Sequence, residues 1–538
     1  MKNLLKITLL SAVVAFFTSC ETSELELLVS PNDVTVDNAD PNFVLNDIQL
    51  TFNGVVGTYS GASRAITRQV NQFSTYNSTV TNNTLNSAWS NSYQMFSNID
   101  LLIGIDEAQA ETGGIPYHVG VSQVIEAYAY MLLVDYLDQV PFTEAVQPSE
   151  FPNPNVDSGA SIYAAQLELL DEAIANLNLG NSTSARSPED LFFGDFNATN
   201  WIALANTLKI RANLNLGNAA GINAAAAGNI IDENSEDFQF GYSTVTDPSS
   251  IHPFFSSSYG ASGAGARMSN QLLDFMNVGT PDGIFPETNP NVDPRARYYF
   301  YRQDTSDPSG SNLPCLGNNT YDYCYVGNGY WGRDHADDEG LPNDGLARTA
   351  YGVYPGGGAF DADQNMPTPA VASSPESLSG AGIRPIYLAS FTHFALAEGA
   401  LTVGSNGNPR ALLELGIRRS MNKVRDFAGS TDSGEFAMTD GDINTYVGNV
   451  LAEYDAANAD GKLAVVAREH FIAAWGNGTE PYNLYRRTGL PDLQDPIIPA
   501  GAFPRSFQYP ETEVDGNPNI QQRSVSSKVF WDTTGSLD

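Results

Sequence analysis

The stretch that decides the fold runs from Glu126 to Phe142 and reads EAYAYMLLVDYLDQVPF. It belongs to a window, Val121–Leu137, in which apolar residues recur at three- and four-residue spacing along one face: Val121, Ile125, Tyr128 and Leu132. This spacing is typical of an α-helix that packs one side against a core. The window predicts a long, largely buried helix that ends in a Val-Pro-Phe turn.

Similar windows lie on both sides of this helix, and they predict a mainly α protein. The helical windows are Asn42–Val56, Trp89–Glu107, Ile162–Leu177, Trp201–Leu214, Tyr387–Val403, Pro409–Phe427, Thr439–Asp455 and Leu463–Trp475. Paired helices joined by short loops cannot each bury an apolar face alone, which favours a scaffold of stacked, tetratricopeptide-like helical pairs. The strict repeat consensus is absent, so the prediction depends on pairing and length.

The windows divide the chain into regions of different composition within one predicted domain, residues 43–538. Residues 43–240 and 383–495 carry the helical pattern, and residues 496–538 form a tail of loops and short extended pieces. Between them, residues 241–382 are rich in Gly, Pro, Asp, Asn and Tyr and have few long apolar runs. A loop-rich insert of this size is unusual unless it is functional, so we expect the ligand-binding region there.

The N-terminus has the layout of a secretory signal. Lys2 and Lys6 precede an apolar run, Ile7–Phe17, and small polar residues lead to Cys20. This run is well short of the roughly 20 residues that span a bilayer. Phe17-Thr-Ser-Cys20 resembles a bacterial lipobox, which predicts that residues 1–19 are removed, that Cys20 is acylated and that residues 20–42 form a flexible tether. The alternative is a signal that ends beside a cysteine by chance.

The rest of the chain predicts a strongly acidic, exported protein that touches the membrane only through its lipid anchor. No later stretch approaches 18 apolar residues. Removal of residues 1–19 would change the net charge from −36 to −38, which excludes nucleic acid and anionic lipid as partners. Cys315 and Cys324 would form a small disulfide loop in an oxidising compartment, or stay as two free thiols.

Four stretches of the chain resemble the SusD/RagB family of outer-membrane nutrient-binding lipoproteins. They are Glu126–Phe142; Ile162-Tyr163 with Leu170–Ile174 and Leu177; Trp201–Arg211; and Trp475-Gly-Asn-Gly-Thr-Glu480, followed by Tyr485-Arg-Arg-Thr-Gly-Leu-Pro491 and by Arg505 with Tyr509-Pro510. With the lipobox, the resemblance extends from Cys20 to Pro510.

The resemblance implies a platform of four tetratricopeptide-like units topped by variable loops. It also implies a protein that acts as a lid on a TonB-dependent transporter of the SusC/RagA kind, facing the exterior of an outer membrane and capturing oligosaccharides or peptides. The matching motifs belong to the scaffold and do not identify the ligand.

If the ligand is an oligosaccharide, aromatic rings should contact the apolar faces of its sugars, with polar side chains at the hydroxyl groups. Most of the predicted ligand-binding residues come from the loop-rich region: Tyr323, Tyr325, Tyr330, Trp331, Arg333, His335 and Tyr354. Trp89, at the start of a helical window, is either another ligand contact or a core residue. For each ring of the loop-rich region except Trp331, packing is the favoured alternative, whereas for Trp89 neither alternative is favoured. Trp201 and Trp475 are predicted to be core residues.

Metal and enzyme signatures are weak. Asp361-Ala-Asp363 begins like a calcium loop, but Met366 stands where the loop needs Gly, so a solvated acidic loop is favoured. The histidines lack the His-Glu-x-x-His spacing of zinc enzymes, and we expect neither a metal nor a cofactor. The favoured function is therefore glycan binding without catalysis. A surface glycoside hydrolase, which needs only two facing carboxylates, stays an alternative, as does a structural lid with little ligand affinity.

The acidic composition favours neutral glycans over anionic ones, because the chain as a whole repels negative charge. The exception would be a local basic pocket, for which the sequence offers four arginines of the loop-rich region: Arg267, Arg295, Arg297 and Arg333.

Overall fold

The computed structural model describes residues 35–180, 189–194, 198–278, 291–305, 329–338, 345–432 and 434–537. Cys20, Cys315, Tyr323, Cys324 and Tyr325 lie outside the described residues, so their predicted roles stay predictions. Helices dominate the described chain, which confirms the predicted fold class.

The longer helices form the frame of the molecule. They are α1 (Pro41–Ile66), α3 (Asn86–Ala108), α4 (Pro116–Leu137), α5 (Gly159–Leu179), α6 (Ala198–Asn215), α7 (Ala219–Ala226), α12 (Ala389–Thr402), α13 (Pro409–Ala428), α14 (Asp440–Ala456), α15 (Ala459–Ala473) and α16 (Thr479–Thr488). Shorter helices lie between them: α2 (Tyr76–Thr79), α8 (Pro253–Tyr259), α9 (Asn270–Phe275), α10 (Ala296–Tyr299), α11 (Thr368–Val371) and α17 (Glu511–Gly516).

Two small antiparallel sheets complete the described structure. Strands β1 (Phe238–Gly241) and β4 (Ile383–Tyr387) pair across the whole loop-rich region, with Phe238 opposite Tyr387. Strands β2 (Phe300–Tyr301) and β3 (Ala350–Tyr351) pair within it. Single 3₁₀ turns occur at Ala110–Thr112, Asn234–Glu236, Gly345–Ala347 and Gly429–Thr431.

The long helices pack against one another, as the apolar windows predict. Helix α1 packs on α3, α4 on α5, and α12 on α13, and α15 packs beneath both α12 and α13. Helix α16 and the short elements between α7 and α12 have no predicted counterpart, because their apolar residues do not recur at helical spacing. Within the described part of the chain, no helix is long and apolar enough to cross a bilayer.

A buried polar network around Asp135 holds the helical pairs together. Its carboxylate accepts hydrogen bonds from four elements: the Tyr163 hydroxyl, Arg211 Nη2 at 2.7 Å, Asn483 Nδ2 at 2.8 Å and Trp531 Nε1 at 3.0 Å. Arg211 also donates from Nε to Glu480 at 2.7 Å. Asp135 is fully buried and Arg211 nearly so, so each charge depends on the other for compensation.

The network joins the four scaffold stretches of the sequence in the folded protein. One residue from each stretch takes part: Asp135 from α4, Tyr163 from α5, Arg211 from α6 and Glu480 from α16. Helices that are distant along the chain are therefore joined by matched charges as well as by apolar contact.

The adjacent arginines of α16 fix the C-terminal part of the chain. Arg487 forms a two-pronged pair with Glu398, at 2.8 and 2.9 Å. Arg486 instead donates to the main-chain carbonyls of Asp135 and Arg505 and lies over the rings of Tyr482 and Trp531. Among the described residues, main-chain carbonyls and rings therefore surround Arg486 where Arg487 has a carboxylate.

The described residues of the loop-rich region are packed rather than structureless. The ring of Trp475, from the end of the α15 segment, lies 5.7 Å from Tyr351 and 6.0 Å from Tyr299. Trp475 and Trp201 are both fully buried, which confirms their prediction as core residues. The loop-rich region is thus anchored to the helical frame through an aromatic cluster.

Candidate functional site

A cleft of about 740 Å³ lies where the loop-rich region meets the start of α14, and we call it the main cleft. Its walls combine residues from both sides: Asn277, Val278, Val292, Asp293, Pro294, Ala296, Arg297, Arg302, Thr305, Tyr330, Asp363, Glu435, Phe436, Ala437, Met438 and Asp442. Ligand pockets for small molecules have volumes of roughly 300–1,000 Å³. The main cleft is therefore large enough for a short oligomer.

One wall of the main cleft is built by Arg297 and Phe436. The Arg297 guanidinium lies 3.9 Å from the centre of the Phe436 ring. The same guanidinium donates through Nη1 to the Asp361 carbonyl and to Asp363 Oδ1, both at 2.9 Å. A half-buried ring and a cation with fixed orientation stand side by side, because α10 and the segment before α14 meet here.

Arg302 and Tyr330 form the second ring and cation pair. The Arg302 guanidinium lies 4.6 Å from the centre of the Tyr330 ring and binds Asp361 Oδ2 from Nε at 2.6 Å. Burial alone would lower the pKa of Arg302, but Tyr330 and Asp361 raise it above its ordinary value. Burial and the nearby Asp361 carboxylate also raise the pKa of Tyr330, so its hydroxyl stays protonated.

This geometry suits binding better than acid–base chemistry. Asp293 and Asp363, which line the main cleft, and the fully buried Asp361 are all bound to arginines. Glu435 and Asp442 are exposed at the rim, where Asp442 forms a capping box with Thr439. The main cleft offers ring faces, guanidinium donors and rim acceptors, which are the groups that recognise a hydroxyl-rich ligand.

The described residues that the sequence predicts as ligand contacts are all buried. None of the following exposes more than 5% of its surface: Trp89, Tyr330, Trp331, Arg333, His335 and Tyr354. Only Tyr330 lines the main cleft. Their role as ligand contacts stays a prediction, and the structure adds that five of the six lie away from the main cleft.

Packing accounts for the position of each of these five. Arg333 binds Asp337 at 2.6 Å, and His335 contacts the Tyr76 hydroxyl at 3.0 Å. Trp331 is buried and its main-chain N–H donates to the Thr349 hydroxyl at 2.8 Å, and Tyr354 stacks on Tyr299. Trp89 packs between Tyr93 and Tyr509 in the core, as the alternative interpretation of this residue holds. Composition alone could not distinguish these rings from exposed ones.

The main cleft also contains residues that the sequence did not indicate as ligand contacts. Nothing in the sequence indicates Arg302 or Phe436 as a ligand contact, since neither stands in a motif or in an aromatic run. For Asp361 and Asp363 the sequence indicated either calcium ligands or, as the favoured alternative, a solvated acidic loop. The loop is not solvated at Asp361, which is fully buried and paired with Arg302.

Three of the four arginines that could have formed a local basic pocket are paired with carboxylates. Arg295 is paired with Asp293 and Glu469 in the interior, and Arg297 and Arg333 are paired with the carboxylates given above. No group of histidines, cysteines and carboxylates suited to a metal occurs among the described residues. All five histidines are buried, and burial lowers the pKa of His252, His335, His393 and His470.

Two protein-family models match the sequence of the chain. The model described as "Starch-binding associating with outer membrane" (SusD-like_2) matches residues 35–320, more than half of the chain. The model described as "Susd and RagB outer membrane lipoprotein" (SusD-like) matches residues 361–528. No curated protein matches the chain in sequence.

Solved structures match along nearly the whole chain. A SusD/RagB family protein from Bacteroides thetaiotaomicron superposes with a TM-score of 0.65 and 17% identity, covering 92% of this chain and 100% of the other. A chitin-binding SusD homologue from Flavobacterium johnsoniae gives 0.61 and 18%, with the same coverage. A SusD homologue from Bacteroides uniformis gives 0.59 and 18%, covering 91% and 99%. At these identities the likeness shows the fold.

Proposed function

The chain belongs to the SusD/RagB-like family, and from this premise we propose that it is a non-catalytic surface protein that captures an oligosaccharide in the main cleft. In this proposal Cys20 carries the lipid anchor at the outer membrane and the protein faces the cell exterior. The captured glycan passes to a TonB-dependent transporter of the SusC/RagA kind.

The observation that supports capture most directly is the pairing of rings with guanidinium groups in the main cleft. Sugars present apolar C–H faces that stack on rings and hydroxyl groups that accept from arginine. Phe436 with Arg297, and Tyr330 with Arg302, supply both types of contact within one cavity. Because each arginine is held by Asp361 or Asp363, little ordering is needed when a ligand binds.

A peptide ligand and a surface glycoside hydrolase remain the alternatives. The hydrolase is the less favoured, because Asp361 and Asp363 already accept hydrogen bonds from arginines. A carboxylate in that position is poorly placed to give a proton to a glycosidic oxygen. A peptide would use the same guanidinium groups, so a binding experiment has to include both ligand classes.

The test compares binding by the wild-type protein with binding by Phe436→Ala. Affinity electrophoresis on a glycan panel, followed by titration calorimetry, should show about a tenfold loss of affinity, because one stacking ring is removed. Phe43→Ala is the matched control, since Phe43 is 71% exposed on α1 and does not line the main cleft. Trp331→Ala is a poorer test, because loss of a buried ring would alter packing as well.

The outcomes separate the candidates. Equal glycan affinity of wild type and Phe436→Ala would remove the main cleft from the proposal. Retention of peptides but of no glycan would favour the peptide alternative. Release of reducing sugar by the wild type, abolished by one carboxylate substitution, would favour the hydrolase. No binding of either ligand class would leave only a structural lid.

A further inference from the structure

Two neighbouring arginines, one in α1 and one in β4, have no carboxylate partner within the described residues. Arg64 and Arg384 form no salt bridge there, although most of the described arginines do. In a chain with 62 acidic and 26 basic residues, a carboxylate is the expected neighbour of an arginine. Arg64 and Arg384 are therefore distinguished by what surrounds them.

The glycines of α1 bring the two side chains onto the same helix face. The Arg384 guanidinium lies against Gly57, where a Cβ atom would come within 2.6 Å of Cζ. Its Nη1 donates to Asn53 Oδ1 at 2.6 Å. Gly61 follows one turn later, and nothing would contact a Cβ atom there. Since Arg64 stands seven residues after Gly57, the two anchor points are on the order of 10 Å apart along the helix.

Arg64 is held in place from its other side. Its guanidinium lies 4.1 Å from the centre of the Phe254 ring, and its Nη1 donates to the Tyr351 hydroxyl at 3.2 Å. Its aliphatic stem packs closely on Gly478, where a Cβ atom would come within 2.7 Å of Cγ. Both arginines are thus oriented by rings and carbonyls, and in the described structure Nε and Nη2 of each make no hydrogen bond.

The surroundings make this surface locally positive. Burial lowers the pKa of Arg384, and Arg64 lowers it further because the two cations repel each other. Burial, then Arg384 and Arg64, lower the pKa of His252, which is therefore neutral and adds no charge. The half-buried ring of Tyr242 lies beside this pair, with its centre 5.6 Å from Arg384 Cζ.

We propose that Arg64 and Arg384 form a second ligand site, which binds the anionic group, a carboxylate or a sulfate, of an acidic saccharide. Free Nε and Nη2 atoms give each guanidinium the two-pronged edge that matches such groups. This inference rests on the proposed glycan capture but concerns a different surface from the main cleft. It also changes the expectation from composition, which favoured neutral glycans.

A saccharide fits this surface better than an acidic peptide does. Tyr242 offers part of a ring to a sugar face next to the cation of Arg384. Along α1, the open position at Gly61 lies between Gly57, which contacts Arg384, and Arg64, so a polymer with acidic groups on its units can reach both arginines. An acidic peptide is therefore an outcome that the experiment has to separate.

The experiment measures the affinity of the full chain for oligogalacturonate, a sulfated oligosaccharide, a neutral chito-oligosaccharide and an oligoglutamate. The variants are Arg64→Gln, Arg384→Gln and Arg384→Lys, which keeps the charge and loses the fork. Arg410→Gln is the matched control, because it removes one positive charge from an exposed salt bridge with Asp455. Unfolding midpoints establish that each variant is folded.

We expect one of the acidic saccharides to bind, with a loss of about tenfold or more in Arg64→Gln and Arg384→Gln and a smaller loss in Arg384→Lys. Affinity for the neutral oligosaccharide should not change, and Arg410→Gln should behave as wild type. Binding of the neutral oligosaccharide alone would overturn this inference and leave the main cleft intact. Equal losses in Arg410→Gln, or tighter binding of oligoglutamate that is lost in the same variants, would overturn it as well.

Discussion

Replacing Asp135 by Asn should destabilise the whole helical frame, because this carboxylate joins four elements. The amide keeps the shape of the side chain but offers one acceptor atom in place of two. Arg211 would lose one of its two carboxylate partners, and the donors from Tyr163, Asn483 and Trp531 would compete for one oxygen. All of these groups are buried, so water cannot replace the lost bonds.

The expected magnitude follows from the number of buried groups left without a partner. Removing one member of a buried ion pair costs about 3–5 kcal/mol. Unfolding entropy is about 2.1 cal/mol/K per residue, so roughly 500 ordered residues give about 1 kcal/mol/K. A loss of about 4 kcal/mol therefore lowers the melting temperature by about 4 °C if the chain unfolds as one unit. Calorimetry and urea unfolding measure both quantities.

Asp171→Asn is the control for this prediction. Asp171 pairs with Lys209 at the surface, its side chain is 66% exposed, and such a pair contributes about 0–1 kcal/mol. If Asp135→Asn lowers stability no more than Asp171→Asn does, the network does not hold the scaffold stretches together, and apolar packing alone accounts for the fold.

Further predictions concern single carboxyl groups. Burial, and then Asp100, raise the pKa of Glu126 to about 8, so its neutral form stabilises the fold fully below pH of about 4.5, and this contribution is lost as pH rises through 8. Glu126→Gln should therefore raise the free energy of unfolding at pH 9 by roughly 2 kcal/mol, a value reduced because Glu126 is only half-buried. At pH 4.5 the substitution should have little effect. Thermal unfolding at the two pH values measures both. Glu398→Gln should cost about 2–4 kcal/mol in urea unfolding because it breaks the buried pair with Arg487, whereas Glu414→Gln, in a more exposed pair with Arg418, should cost less than about 1 kcal/mol.

The sequence predicted the helical frame well, because the long helices bury one face and therefore repeat apolar residues at helical spacing. The predicted window Val121–Leu137 agrees with α4, and Pro409–Phe427 agrees with α13. Helix α16 escaped prediction for a physical reason. It buries Glu480, Asn483 and Arg486 among its apolar residues, so its sequence does not show a separate apolar face.

The site was predicted less well, because ring exposure depends on tertiary contacts that composition does not record. Trp331 is flanked by glycine and charged residues, as an exposed ring often is, yet it exposes only 2% of its surface. Phe436 has no aromatic neighbours in the sequence, yet it stands in the wall of the main cleft. A local run of aromatic residues indicates where rings are abundant and not which rings face a ligand.

The distribution of the arginines affects how the net charge should be interpreted. Arg211, Arg295 and Arg468 are buried against carboxylates, so much of the positive charge is used inside the fold. An approaching anion therefore meets a largely negative surface and is repelled at distances up to the Debye length, about 10 Å at 0.1 M salt. Attraction by Arg64 and Arg384 acts within hydrogen-bond distance, where salt screens it less. Added salt should consequently weaken capture of an acidic saccharide less than it would for a basic protein, because screening removes the repulsion too.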